Sequence, residues 1–270
     1  MAEVPEVETI VRDLRVAVVG RELQGAEILN IDAVRFPAPA QFADMVAGRR
    51  VLAAERRAKH ILMPLSDELL LEVHFMLWGT LRLIEAAAPR LPETLVVWHL
   101  DGGEELRLTD KLGYARTALG WPDDLIERLN IDELGPEALD PAFDAGVLAA
   151  RLAKRRGALK TVLLNQKVLA GLGNRDADES MWLAQINPLR TPASLAPGEI
   201  ERLHDAICQN LEEGIALRGT QRDLFGRQGQ ARHRRNIFER SGQPCPRCGA
   251  RIEYLRIGGR NSFFCPECQK

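Results

Sequence analysis

Residues 95–110, LVVWHLDGGEELRLTD, place an apolar run on each side of the turn sequence DGGE. Asp and Gly accept the left-handed backbone of a tight turn, so this stretch predicts a β-hairpin. Residues 50–65 and residues 68–77 flank a second polar turn, SDE, in the same manner. The region from about Glu22 to Asp110 is therefore predicted to consist of strands. Because no strands alternate with helices there, an antiparallel β-sandwich or barrel is favoured over a parallel sheet.

The chain begins MAEVPEVETI, with three carboxylates, Glu3, Glu6 and Glu8, close to the N-terminus. Pro5 and the acidic residues that follow it are typical of a helix start, and Gly20 can end the helix. A capped helix explains this segment on structural grounds alone. Chemistry at the N-terminal amine is the alternative interpretation. The apolar residues at helical spacing are Val7, Ile10, Val11, Leu14 and Val18.

The pattern changes from about Pro141 onward. Residues 143–173 carry alanine and leucine at helical spacing, and further helices are predicted within 177–190 and 197–217. Residues 218–235, RGTQRDLFGRQGQARHRR, predict a mobile loop or a loop that DNA orders. The chain is thus predicted to be a multidomain α and β protein with a β domain, a helical domain and a small cysteine-bearing tail.

The charge of the chain is distributed unevenly. The total is −2, but residues 218–270 contain 12 basic and 4 acidic residues, which leaves −10 on the rest. A basic end on an acidic body predicts a polyanion as a binding partner. The sequence contains no apolar run near 18 residues and no signal-peptide pattern, so we expect an intracellular protein without a membrane span.

Four of the five cysteines form a Cys-x-x-Cys, x16, Cys-x-x-Cys pattern in the tail. This spacing predicts one closed, structural zinc site, with a β-hairpin between the two pairs. Disulfide pairing is the alternative, which an intracellular chain disfavours. The zinc would hold Arg260 at the hairpin tip. Cys208 is interpreted as a small buried core residue rather than a reactive thiol. The predicted zinc ligands are Cys245, Cys248, Cys265 and Cys268.

Five segments in this order resemble the formamidopyrimidine-DNA glycosylase/endonuclease VIII family. They are PEVETIVRDL (5–14), ERRAKHILM (55–63), HFMLWGTLR (74–82), KVLAGLGNRDADES (167–180) and GGRNSFFCPECQK (258–270). The resemblance implies an N-terminal helix plus antiparallel β-sandwich as the catalytic domain (1–135), a helix–two-turn–helix DNA-binding domain (141–240) and a zinc ribbon (241–270). It also implies a monomer that acts on damaged or abasic double-stranded DNA in the cytoplasm of a bacterial-type cell, associated with the nucleoid.

The resemblance further implies a base-excision enzyme that cuts a glycosidic bond through its N-terminal amine and then cleaves the strand as an AP lyase. Ala2 would supply the amine once Met1 is removed, Glu3 would move the proton that opens the sugar ring, and Glu6 would orient the amine. Lys59 would assist elimination and hold phosphate. Arg260 would contact the phosphates of the lesion and protonate a leaving group. A solvated Lys59 and a surface Arg260 without a role are the alternatives.

The same matching implies DNA contacts. Asn174 and the backbone amides beside it would hold phosphate, and Arg156 and Lys160, one turn apart, would reinforce that site. Leu77 stands at the family's intercalating position, and Tyr114 stands where the family has a stacking phenylalanine. A core Leu77 and an ordinary packed Tyr114 are the alternatives.

Several positions depart from the family pattern. Ala2 replaces the family's proline, which leaves a primary amine. Arg175 and Asp176 replace an apolar residue and a tyrosine, and Leu112 replaces the arginine that reads the orphaned base. Glu93 replaces a hairpin histidine. An altered lesion or opposite-base preference is therefore predicted. A catalytically impaired protein that binds damaged or bent DNA is the alternative, and a zinc-ribbon scaffold for protein partners is a third.

Overall fold

The computed structural model describes residues 2–270, which form two compact units. The first unit comprises residues up to Asp132 together with Arg218–Gly229, and the second comprises Glu133–Leu217 and Gln230–Lys270. Among the described residues, no helix has both the length and the apolar composition that a membrane span requires. The predicted domain boundaries at 1–135, 141–240 and 241–270 stay a prediction.

The first unit packs a helix and two antiparallel sheets around one apolar core, which confirms the predicted sandwich. The elements are α1 Val4–Ala17, β1 Glu22–Ile28, α2 Pro39–Val46, β2 Arg49–Arg50, β3 Glu55–Arg57, β4 His60–Leu65, β5 Leu69–His74, β6 Thr80–Glu85, β7 Thr94–Leu100, β8 Glu104–Thr109, β9 Arg116–Gly120 and α3 Pro122–Arg128. One sheet has the strand order β2-β1-β7-β8-β6, and the other has the order β3-β4-β5-β9.

Both predicted hairpins are present. Strand β7 pairs with β8 across the DGGE turn, and β4 pairs with β5 across the SDE turn. Helix α1 buries the apolar face predicted for it, with Val7, Val11 and Leu14 fully buried. The expectation of strands alone between residues 22 and 110 is wrong at α2. Pro39 begins this short helix, and Phe42 and Val46, four residues apart, are both buried in the core.

The second unit contains the remaining elements: α4 Ala145–Leu152, α5 Leu159–Leu163, α6 Asn174–Ala184, α7 Pro197–Ala216, β10 Glu253–Ile257 and β11 Arg260–Phe264. The helical pattern of residues 143–173 is interrupted after α4, where Gly157 adopts a φ of +95°. It is interrupted again between α5 and α6, because the LAGLGN sequence carries the chain to the start of α6.

The cysteine-bearing tail is a β-hairpin, in which β10 pairs with β11 from Glu253↔Phe264 to Ile257↔Arg260. The hairpin shares an apolar cluster with α6. Trp182 of that helix packs with Ile237, Ile252 and Phe263 and with two of the cysteines. A ribbon this short has little core of its own, so the helix supplies part of it.

Candidate functional site

The N-terminal end of α1 is buried. Ala2, Glu3 and Glu6 expose only 3%, 2% and 4% of their surface. The backbone N–H of Glu3 donates to Glu6 Oε2 at 2.9 Å, so the Glu6 carboxylate holds the backbone next to Ala2. Glu8 is instead paired with two arginines, which both donate to its carboxylate. Burial alone would raise the pKa of Glu8, but these hydrogen bonds hold that pKa below its usual value. Met1 lies outside the described residues.

A loop from residue 218 to residue 229 reaches the other oxygen of Glu6. Both the backbone N–H and the hydroxyl of Thr220 donate to Glu6 Oε1, at 2.7 and 2.9 Å. Gly219 has a φ of +65°, and a Cβ there would lie 2.9 Å from the same oxygen, so this approach requires glycine. Leu224 is fully buried in the core, and its carbonyl accepts from the backbone N–H of Leu83. The loop is therefore anchored to the first unit.

Charged groups hold the two ends of this loop. Arg218 donates to both oxygens of Asp13 on α1, at 2.8 and 2.6 Å, and to Asp223 at 2.7 Å. Arg227 donates to the same Asp223 carboxylate at 2.7 Å. No local pattern in the sequence indicates the contact between this loop and α1, because the two lie more than 200 residues apart in the chain.

Lys59 lies in the turn between β3 and β4 and is half-buried. Its charge acts on His74, whose pKa falls to about 3 because of burial and the positive charges of His60, Lys59 and Arg35. A neutral His74 can accept, and its Nδ1 does accept from the backbone N–H of Met76 at 3.0 Å. This contact orients the turn that follows β5.

That turn carries Leu77, of which 39% is exposed, so the alternative of a core leucine is wrong. Tyr114 is 48% exposed and Leu112 is 52% exposed. Both project from a turn after β8, where the buried Asp110 carboxylate accepts three backbone N–H groups, including those of residues 112 and 114. A rigid turn therefore presents two apolar side chains at the surface of the first unit.

In the second unit, Asn174 begins α6 and its side-chain amide donates to the backbone carbonyl of Asn261 at 3.0 Å. Lys160 donates to the same carbonyl at 2.6 Å. Asn261 follows Arg260, which is exposed at the hairpin tip as predicted. A Cβ at Gly258 would lie 2.9 Å from the hydroxyl of Thr161, so the tip also packs on α5.

The structure corrects the interpretation of Lys160 as a phosphate contact. Lys160 is fully buried, and its Nζ lies 2.7 Å from Oδ1 of Asp178, which is also fully buried. Burial raises the pKa of Asp178 to about 7, although Lys160 and the backbone N–H of Phe263 both lower it. Arg156 is exposed as expected, but it lies in the break before α5 rather than on one helix with Lys160.

Arg175 and Asp176, the two departures from the family pattern in α6, are both buried. The guanidinium of Arg175 donates to Asp176 Oδ1 at 3.0 Å. Glu179, one turn further on, accepts from the backbone N–H groups of residues 236–238. This end of α6 therefore holds the segment that leads into the ribbon.

The four tail cysteines converge on one point, and their sulfur atoms all lie within 4.8 Å of one another. The Sγ atoms of Cys245 and Cys268 are 3.9 Å apart, and those of Cys248 and Cys265 are 3.5 Å apart. A disulfide needs about 2.05 Å, whereas four thiolates at about 2.3 Å from a tetrahedral zinc lie about 3.8 Å apart. The donor set and its spacing fit one structural zinc ion.

Three family models match the chain in order. They are described as the formamidopyrimidine-DNA glycosylase N-terminal domain (residues 1–117), the formamidopyrimidine-DNA glycosylase H2TH domain (134–225) and a zinc finger found in FPG and IleRS (242–270). The second model extends into the loop that contacts Glu6.

Full-length relatives show the same similarity. The formamidopyrimidine-DNA glycosylase of Moorella thermoacetica is 43% identical over 260 residues, 95% of each chain, and that of Chloroflexus aurantiacus is 38% identical over 100% of this chain and 98% of its own. A crystal structure of Lactococcus lactis Fpg in complex with DNA that contains an abasic site is 30% identical, covers 100% of both chains and has a TM-score of 0.93.

Proposed function

The chain belongs to the formamidopyrimidine-DNA glycosylase family, and we propose that it excises damaged bases and cleaves abasic sites in duplex DNA through an N-terminal amine. It is a base-excision repair DNA glycosylase with AP lyase activity. The observation that carries the assignment of catalytic residues is the buried contact between the backbone of Glu3 and the Glu6 carboxylate, which fixes the position of Ala2.

The proposed nucleophile is the amine of Ala2 after removal of Met1. The amine attacks C1′ of the opened abasic sugar, water leaves, and a protonated imine forms. The imine makes the proton on C2′ acidic, and loss of that proton breaks the bond from C3′ to its phosphate oxygen. Glu3 exchanges protons at the sugar oxygen during ring opening, and Glu6 keeps the amine in position.

Other residues are proposed to hold the DNA. Lys59 contacts a phosphate of the damaged strand and assists elimination, and Arg260 contacts the phosphates beside the lesion. Asn174 donates to the backbone of the hairpin tip, and it therefore also supports phosphate binding by holding Arg260 in position. The exposed Leu77 and Tyr114 fill the space that an extruded base leaves.

The zinc ion takes no part in these proton transfers. Four cysteine ligands leave no open coordination position, so the ion supplies folding free energy to the ribbon. The boundaries 1–135, 141–240 and 241–270 are retained as a proposed division into catalytic, DNA-binding and zinc-ribbon segments. Association with the nucleoid through duplex DNA is part of the same proposal.

A second candidate is a protein that binds damaged or bent DNA without cutting it. Ala2 favours this candidate, because a primary amine yields an imine that must be protonated before it can accept electrons. Leu112 favours it as well, because leucine cannot hydrogen-bond an orphaned base.

Covalent trapping separates the two candidates. Protein shown by mass spectrometry to begin at Ala2 is incubated with abasic duplex and borohydride, which reduces the imine to a stable adduct. We expect an adduct that maps to residue 2, slower formation with Glu3→Gln, and an unchanged rate with Glu8→Gln, a control carboxylate on α1, the helix that follows Glu3. Absence of an adduct, together with no gain from Ala2→Pro, would support the binder.

A further inference from the structure

The first unit contains a cavity of about 640 Å³ on the outer face of its five-stranded sheet. Thr80 and Arg82 of β6 and Thr109 of β8 line it, whereas the alternating residues Leu81 and Leu108 point into the core. Small-molecule sites typically enclose about 300–1,000 Å³ with a few polar groups among apolar walls. None of the residues that carry the proposed lyase chemistry lines this cavity.

Arg82 is the polar group of this cavity that most needs a ligand. Its Nε is buried and has no hydrogen-bond partner within the part of the chain that the structure describes. The guanidinium fits against Gly226, where a Cβ would lie within 3 Å of its terminal nitrogens. Burial and the nearby Arg222 lower the pKa of Arg82. Arg82 is half-buried and its Nε lacks a hydrogen-bond acceptor, so an anion here would be stabilising.

The carboxylates around Arg82 do not meet this need. Asp110 lines the cavity, but its two oxygens accept backbone N–H groups of the next turn. Asp223 is nearby, but Arg218 and Arg227 already donate to it. Glu93 is half-buried in the wall of the cavity, and among the described residues it forms no ion pair with Arg82. Four cationic side chains line the cavity, Arg82, Arg107, Lys111 and Arg222, and Arg107 already donates to Glu105. Arg222 lies near enough to Arg82 for its charge to act on it, so an anion bound beside both would be stabilised.

The walls of the cavity are apolar and include a large exposed aromatic ring. Trp78 is 60% exposed, and Leu91 and Leu112 are 55% and 52% exposed. An accessible indole beside cationic groups is the combination on which nucleobases stack while their phosphates are neutralised. Trp78 also follows Leu77 directly in the exposed turn, so the cavity opens beside the proposed wedge.

We propose that this cavity binds a nucleotide, with the base on the indole of Trp78 and the phosphate between Arg82 and Arg222. The hydroxyls of Thr80 and Thr109, which lie 2.8 Å apart on the floor, are available to hydrogen-bond the sugar or the base. The nucleotide can be free or part of a DNA strand, since both present the same chemistry.

The test is calorimetric titration of the full-length zinc protein with dGMP, deoxyguanosine and inorganic phosphate. We expect dGMP to bind more tightly than either fragment. Trp78→Ala and Arg82→Gln should each weaken dGMP binding about tenfold, since stacking on an aromatic ring and a charge-assisted contact have comparable strengths. Trp78→Phe should retain most of the affinity, and Arg12→Gln, an exposed arginine of the same unit, should leave it unchanged.

Competition with abasic duplex then identifies the source of the nucleotide. Displacement of dGMP by duplex assigns the cavity to a nucleotide of the DNA, and simultaneous binding assigns it to a free nucleotide. Equal affinity for dGMP and phosphate, no binding of dGMP, or wild-type affinity in both variants overturns the proposal. Borohydride trapping in the same variants is a separate measurement, so failure of the lyase assignment would not be mistaken for failure of the cavity assignment.

Discussion

Replacement of Lys160 by methionine should destabilise the second unit, and more strongly at alkaline than at acidic pH. In the wild type, Lys160 Nζ lies 2.7 Å from Asp178 and donates to the carbonyl of Asn261, with both charged side chains fully buried. Removal of one partner of a buried ion pair costs about 3–5 kcal/mol when the other stays charged. If Asp178 takes up a proton instead, the loss falls toward that of one hydrogen bond, about 1 kcal/mol.

The sign of the pH dependence follows from the pKa of Asp178. Burial raises this pKa to about 7, from an ordinary value of 3.8. A carboxyl with a raised pKa stabilises the folded state most at acidic pH, and this contribution is lost as pH rises from about 4 through 7. Without the charge of Lys160 the pKa rises further. The stability of the variant should therefore continue to fall above pH 7, where that of the wild type has levelled.

Hydrogen exchange is the appropriate assay, because the backbone N–H of Phe263 donates to Asp178 and reports on this site directly. We expect Lys160→Met to lower the protection of Phe263 by about 1 kcal/mol near pH 5.5 and by about 3 kcal/mol or more near pH 8.5. Addition of Asp178→Leu should recover much of the stability, since an apolar pair needs no counterion. Lys167→Met, at an exposed ion pair, should cost less than about 1 kcal/mol. A destabilisation independent of pH, or a double variant no better than the single one, would refute this reasoning.

A variant with both cysteines of the first Cys-x-x-Cys pair replaced by alanine should lose its zinc and bind duplex DNA weakly, while the circular dichroism of the first unit is kept. Elemental analysis that finds well below one zinc per wild-type chain would contradict the predicted zinc site. Arg260→Ala should reduce the slope of log affinity for DNA against log salt concentration by roughly 0.9 for each phosphate that the protein no longer neutralises. Arg256→Ala in the same hairpin should leave this slope unchanged, and equal slopes for both variants would exclude Arg260 as a phosphate ligand. Thr220→Val should slow borohydride trapping about fivefold, because Glu6 would lose the hydrogen bond from the Thr220 hydroxyl. Thr191→Val is the control, and an unchanged rate in Thr220→Val would mean that the loop does not position the amine.

Local patterns in the sequence determined the elements and their class. The period-two runs around DGGE and SDE become paired strands, and the Cys-x-x-Cys spacing brings four sulfurs together. These predictions succeed because turns and metal loops are set by residues close together in the chain. The helical pattern of residues 143–173 is interrupted near Gly157, because its φ of +95° lies outside the helical region of backbone conformation.

The contacts that support the site were decided by tertiary structure alone. Thr220 meets Glu6 across more than 200 residues, and Lys160, which resembles a surface phosphate ligand in the sequence, is buried against Asp178. Whether a lysine faces solvent or a buried carboxylate depends on which helices pack together, and no local periodicity encodes that choice. The family's motifs indicated which residues matter, but only the folded chain shows that Asn174 and Lys160 hold the same carbonyl beside Arg260.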